Sequence, residues 1–155
     1  MKCLLINPWI ADFAAYNFWV RPLGLYRLAS WLNARGAEFL ILDCLSPFKA
    51  PGKFRRQPVK CPIRSDIPVR RPFARYGIGL EEFRRRLKAA GPVDCVMITS
   101  VMSYWYPGVQ WVVEEIRKQL PGIPMVLGGI YATLWPEHAR RTSGADLICQ
   151  GPIEA

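Results

Sequence analysis

Two adjacent glycines, Gly128 and Gly129, follow a short apolar run, and hydroxyl side chains stand at Thr99, Ser100 and Thr133. Glycines let backbone approach a ligand with no Cβ between, and hydroxyls both donate and accept, so this set suits holding a polar group. A strand-to-helix turn needs the same pair of glycines, and both readings stay open at this level. Aromatic residues gather in three stretches: Trp9, Phe13, Tyr16, Phe18 and Trp19; Tyr104, Trp105 and Tyr106; Tyr131 and Trp135. At one rim they would expose more apolar surface than a monomer leaves open, which points to a flat ligand or a partner domain; the alternative is rings packed on one another. His138 is the single histidine and reads as a surface or supporting residue. No serine or cysteine nucleophile can be paired with it, and no carboxylate pair recurs at useful spacing, so hydrolytic catalysis finds no support. The five cysteines, at 3, 44, 61, 95 and 149, form no Cys-x-x-Cys pair and lie mostly in apolar runs. They fit small buried residues better than disulfides or zinc ligands.

The elements that must position these residues follow from periodicity. Short apolar runs ending in a polar residue, at Lys2 to Asn7, Phe39 to Asp43, Asp94 to Thr99, Met125 to Leu127 and Asp146 to Cys149, predict five buried strands. Leu25, Leu28, Ala29 and Leu32 follow helical spacing between Pro22 and Gly36. Val109, Val112, Val113, Ile116 and Leu120 do so between Pro107 and Pro121, Leu80, Phe83 and Leu87 end at Gly91, and a short helix is expected from Pro136 to about Thr142. This α/β alternation demands a parallel sheet with helices on both faces, and a flavodoxin-like (Rossmann-like) five-stranded order 2-1-3-4-5 is expected. Ligands in such sheets lie beyond the carboxyl ends of the strands, at the loops Pro8 to Arg21, Ser100 to Tyr106, Gly128 to Trp135 and Gly151 onward.

The chain has 155 residues, 51% hydrophobic and 21% charged, enough for one domain with one core, expected over 1–155. It has no apolar run of 18 residues, and its N-terminal apolar stretch is too short for a signal peptide, so no membrane partner and a cytoplasmic location are expected. The net charge of +9 is concentrated: residues 49–88 hold 13 Lys or Arg against three acids, and the remainder 8 against nine. Six of the 14 prolines fall between 46 and 79. That spacing argues against a continuous helix or a central strand, and 46–79 reads as a long Pro/Arg-rich basic insertion after the second strand, dispensable for the fold.

Several motifs stand in register with these strands. Asn7-Pro8, Pro22-Leu23-Gly24 opening a helix, Thr99-Ser100-Val101-Met102, Gly128-Gly129-Ile130-Tyr131-Ala132-Thr133 and Ala145-Asp146-Leu147-Ile148 before Gly151 occur in that order. Together the chain resembles the N-terminal cobalamin-binding domain of the cobalamin-dependent radical S-adenosylmethionine proteins. The resemblance implies a corrin lying over the loops and a nucleotide tail threaded beside the Gly-Gly turn. It assigns cofactor contacts to Asn7, Pro8, Pro22, Leu23, Gly24, Thr99, Ser100, Met102, Tyr104, Tyr106, Gly128, Gly129, Tyr131, Thr133 and Gly151. Three departures stand out. The end motif reads Gly151-Pro152-Ile153-Glu154 rather than Gly-x-Gly-Glu, Tyr131 stands where a histidine is frequent, and no Asp-x-His-x-x-Gly follows the first strand. No protein ligand for the metal is therefore assigned, and cobalamin is expected with its own base displaced and no imidazole in its place; the alternative is that His138 swings in. A three-cysteine cluster motif is lacking, so the iron-sulfur cluster and S-adenosylmethionine are expected in a barrel downstream in the parent chain, and no catalysis from this part.

Competing classes remain. Flavin binding lacks a phosphate loop rich in Ser, Thr and Gly after the first strand, and a response-regulator receiver lacks the aspartate and lysine at its strand ends. Nucleic-acid binding through 49–88 is the main alternative, with Phe48, Phe54, Phe73 and Tyr76 placed to stack on bases between basic residues.

Overall fold

The computed structural model describes residues 1–16, 21–46, 53–62 and 69–152. The chain runs β1 (Lys2–Asn7), β2 (Ile10–Asp12), α1 (Leu23–Asn33), β3 (Glu38–Asp43), β4 (Arg56–Pro58), β5 (Ala74–Tyr76), α2 (Leu80–Ala90), β6 (Cys95–Ile98), α3 (Tyr106–Gln119), β7 (Met125–Leu127), α4 (Ile130–Leu134), α5 (Pro136–Thr142) and β8 (Leu147–Ile148). Five strands form an all-parallel sheet in the order β3-β1-β6-β7-β8. The remaining three, β2, β5 and β4, form a separate antiparallel sheet that the periodicity did not reveal; it shifts the strand numbering relative to the expected 2-1-3-4-5. Three residues per strand are too few to leave a period-two pattern.

β1 is an interior strand between β3 and β6, and Cys3, Leu4, Leu5 and Ile6 are all buried because both its faces are covered. Cys3 and Leu5 pack with Leu25, Ala29 and Leu32 of α1 on one face. Leu4 and Ile6 join Phe83 and Leu87 of α2 and Val109, Val112 and Ile116 of α3 on the other. α1 carries the chain from β1 to β3 at one edge, and α2 then carries it back to β6 on the far side of β1. The connections therefore diverge between β1 and β6, which makes this pair the switch point of the sheet.

Within 46–79, residues 47–52 and 63–68 lie outside the described residues, and the rest is not the detachable loop that its prolines suggest. Phe54, Phe73, Ala74, Tyr76 and Ile78 are buried, and most of them form a third core with Ile10 and Leu45. β5, the centre of the small sheet, pairs on one side with β2 and on the other with β4. A three-residue strand fits between prolines where a longer one could not, and Pro58 closes the edge strand β4, where a missing N–H is tolerated. Ile78 N–H donates to the Cys44 carbonyl at 2.7 Å, tying the end of the segment to the end of β3. Among the described residues no helix is long and apolar enough to cross a membrane.

Candidate functional site

The carboxyl ends of β1, β6 and β7 meet the loops that hold most of the singled-out residues. Asn7, buried at the end of β1, donates from Nδ2 to Asp43 Oδ1 at 2.8 Å and so clamps β1 to β3. Beyond β6, Ser100 is buried and its hydroxyl donates to the Gly128 carbonyl at 2.7 Å. Ile130 N–H returns a bond to the Ser100 carbonyl at 2.8 Å, seaming the β6 loop to the start of α4. Thr133 Oγ1 donates to the Gly129 carbonyl and accepts from Gly151 N–H at 3.1 Å, which pins the loop after β8. The structure thus brings Thr99, Ser100, Gly128, Gly129, Thr133 and Gly151 together.

Their polar groups face one another. A Cβ on Gly129 would lie 2.3 Å from the Ser100 carbonyl oxygen and 3.1 Å from Thr99 Oγ1, and its φ is +92°. Gly129 is required by the protein's own backbone, which fills the space expected for a nucleotide tail. Among the described residues no buried side-chain nitrogen or oxygen lacks a partner, so none waits there for a ligand. At the switch point, Asn7, Pro8, Ser100, Val101, Met102 and Trp105 line a crevice of about 10 Å³, no more than one water needs.

The aromatic residues divide. Trp9 is buried on Phe83, ring centroids 4.7 Å apart, with Nε1 donating to the Ile78 carbonyl at 2.8 Å. α3 presses directly on it: a Cβ on Gly108 would stand 1.9 Å from the Trp9 carbonyl oxygen. Phe13 packs edge-on against Phe73, and Trp105 Nε1 donates to Asp12 Oδ2 at 2.8 Å. Tyr131 is fully buried, and burial pushes its phenol above the ordinary value against the opposing hydrogen bond from Thr142. The expectation of ten rings at an open rim is therefore corrected: of the eight described, Trp9 and Tyr131 are buried, Phe13, Trp105 and Tyr106 are half-buried, and Tyr16, Tyr104 and Trp135 are exposed, while Phe18 and Trp19 lie outside the described residues. Beyond β6 and β7 an apolar strip of Met102, Tyr104, Ile130, Leu134 and Trp135 stays exposed, each between 43% and 66% accessible. Ile130 and Leu134 stand one turn apart on α4, which packs beside the short 3-10 turn bearing Tyr104.

Pro22, Leu23 and Gly24 open α1, Pro22 buried and the other two exposed; no hydrogen bond joins them to the Gly128–Gly129 group. Tyr106 opens α3, half-buried, its ring 5.0 Å from that of His138. His138 lies under the strip, with Nδ1 2.7 Å from Tyr131 Oη, a contact that sequence spacing alone does not announce. Among the described residues no three His, Cys, Asp or Glu side chains are grouped to hold a metal. In the basic segment, Phe54, Phe73 and Tyr76 are buried and cannot stack on bases; Phe48 lies outside the described residues. Arg84 is paired with Glu81 and Glu115, and Arg85 and Arg86 with Glu82.

Tested against cobalamin, the strip is apolar, as a corrin face would require, while the crevice and the Gly129–Ser100 contact leave no room for a buried nucleotide tail. No protein-family model matches the chain, and no curated protein matches it.

Proposed function

We propose that the chain is a flavodoxin-like cobalamin-binding module that presents a corrinoid to a radical S-adenosylmethionine barrel. The observation that carries this reading is the strip of Met102, Tyr104, Ile130, Leu134 and Trp135, contributed by the connection after β6 and by α4 with the residue after it, at the carboxyl edge beside the switch point. These side chains take the ring face and exclude water from it. Ser100, Thr133 and Gly129 hold the loops beneath the ring in place rather than contacting the tail, which stays outside the domain. When bound, cobalamin supplies a metal centre that accepts and donates alkyl groups or electrons, chemistry the described side chains lack. The ordered motifs from Asn7 to Gly151 add support, as does their position at the ends of β1, β6 and β7.

The test is an absorption spectrum after incubation with hydroxocobalamin and desalting. Corrinoid absorbance eluting with the protein in stoichiometric amount is expected; protein that elutes without it, at any reachable concentration, overturns the reading.

A further inference from the structure

Cys3 and Cys95 are register partners on the adjacent parallel strands β1 and β6, and the Cys95 thiol donates to Cys3 Sγ at 3.5 Å. They stand 92 positions apart in the chain, so only the sheet brings them together. Neighbouring strands run about 4.7–4.9 Å apart, inside the Cα separation of about 4.4–6.8 Å that a disulfide spans. Joining the sulfurs needs an approach of about 1.5 Å, to a bond of about 2.05 Å, which rotation of the less confined Cys95 side chain supplies.

The two thiols differ in access. Cys3 is fully buried and packs with Leu5, Leu25 and Leu32, whereas Cys95 is only partly buried. Side chains in register across a sheet share a face, so Cys95 and Met97 of β6, Val126 of β7 and Leu147 of β8 all lie on the side that α1 packs against. Among the described residues α1 is the one helix there, because α2, α3, α4 and α5 contribute their buried side chains to the core on the opposite side. Met97 and Val126 are accordingly half-buried and Leu147 is exposed. A small reagent can therefore approach Cys95 across a stretch of sheet that no described helix covers.

We propose that Cys3 and Cys95 form a dithiol site that exchanges with low-molecular-weight disulfides and closes into a reversible cross-link between β1 and β6. Cys95, deprotonated, attacks one sulfur of the incoming disulfide; a mixed disulfide forms, and the first reagent thiolate leaves and takes up a proton. Cys3, deprotonated in turn, attacks Cys95 Sγ, breaking the mixed disulfide and releasing the second reagent thiol. Two protein thiols are oxidised to one disulfide, and the reagent disulfide is reduced to two thiols. Burial, then the hydrogen bond with Cys3, push the Cys95 thiol above its ordinary value, so exchange runs through a minor thiolate population. The cross-link fastens the switch-point strands near their amino-terminal ends. It needs neither the corrin nor the apolar strip and stands apart from the corrinoid reading.

The test incubates the folded chain with glutathione disulfide at about pH 8.5, the ordinary thiol value, blocks free thiols with N-ethylmaleimide and maps digests by mass spectrometry. A peptide pair holding Cys3 and Cys95, lighter by two hydrogens and free of glutathione, is expected, and dithiothreitol should return both thiols. Cys149, exposed after β8, reports that the reagent is active. Both thiols still free while Cys149 carries glutathione, Cys95 left as a glutathione adduct, or Cys3 joined to Cys61 or Cys149 instead, overturns the proposal. In Cys3→Ala the second step is removed, so Cys95 should keep its glutathione; an unmodified Cys95 there overturns the order of attack.

Discussion

Gly129→Ala should destabilise the fold whether or not any ligand is present. The added Cβ would lie 2.3 Å from the Ser100 carbonyl oxygen and 2.7 Å from Ser100 N, contacts that force a shift. Ser100 cannot easily yield, because Ile130 N–H bonds its carbonyl and its own hydroxyl bonds Gly128. The backbone at Gly129, φ +92° and ψ −168°, lies in a region almost confined to glycine. Conformation alone costs about 1–3 kcal/mol there, and the clash brings the total to about 3 kcal/mol or more. At about 2–4 °C per kcal/mol for a chain of this size, Tm should fall by about 6–12 °C. Gly128→Ala is the control: its nearest neighbour would be 4.0 Å away and its φ is not positive, so a change within about 1 kcal/mol is expected. Calorimetry of the three proteins decides. If Gly129→Ala melts within about 2 °C of the wild type, the glycine does not pack on Ser100 and the space there belongs to something else.

Other perturbations separate packing from local preference. Gly108→Ala should gain about 1 kcal/mol on helix propensity alone; contact with the Trp9 carbonyl at 1.9 Å instead predicts a loss of about 2 kcal/mol in urea unfolding. Replacing 46–79 by a short Gly/Ser linker removes Phe54, Phe73, Tyr76 and Ile78 from the interior, at about 1.5–3 kcal/mol each. That approaches a whole domain's stability, so cooperative thermal unfolding should disappear; a retained sharp transition would show the segment to be peripheral. Burial pushes the Glu115 carboxyl up, but its bonds to Arg84 and Lys118 prevail and hold it below the ordinary value. A depressed folded value means stability fully present above the unfolded carboxylate range near pH 4.3 and lost as pH falls through the folded value. Glu115→Gln should lower stability by about 2 kcal/mol at neutral pH and flatten this acid dependence; an unchanged acid limb would contradict the assignment.

Among the described residues, the five parallel strands and four of the five α-helices were legible because each leaves a periodic or punctuated trace, as at Leu25 to Leu32 or between Pro107 and Pro121. α4 was missed: with five residues it has no complete apolar period, and Gly128-Gly129 read as loop. The small sheet was missed for a related reason, since tertiary pairing of three-residue strands overrides the proline signal around Pro58 and Pro72. At the site, residue types suggested the right neighbourhood but not the direction in which the groups face. Ser100 and Thr133 hydroxyls read as ligand donors, yet both bond to glycine carbonyls of the same turn. Tyr131 read as a contact residue and is fully buried, because alternation along a short helix does not distinguish its inner face from its outer one. Nothing in the spacing of residues 131, 138 and 142 announced the hydrogen bonds that join them, which exist only once α4 and α5 pack together.

Equilibrium dialysis against hydroxocobalamin and dicyanocobinamide, which lacks the nucleotide tail, tests the corrinoid reading most directly. Both should be retained with affinities within about threefold of each other, a difference below 1 kcal/mol. Tyr104→Ser combined with Leu134→Ser should weaken both by about tenfold or more, since each removes exposed apolar contact on the strip. Retention of neither corrinoid, or binding indifferent to the paired substitution, would contradict a ring held on that strip.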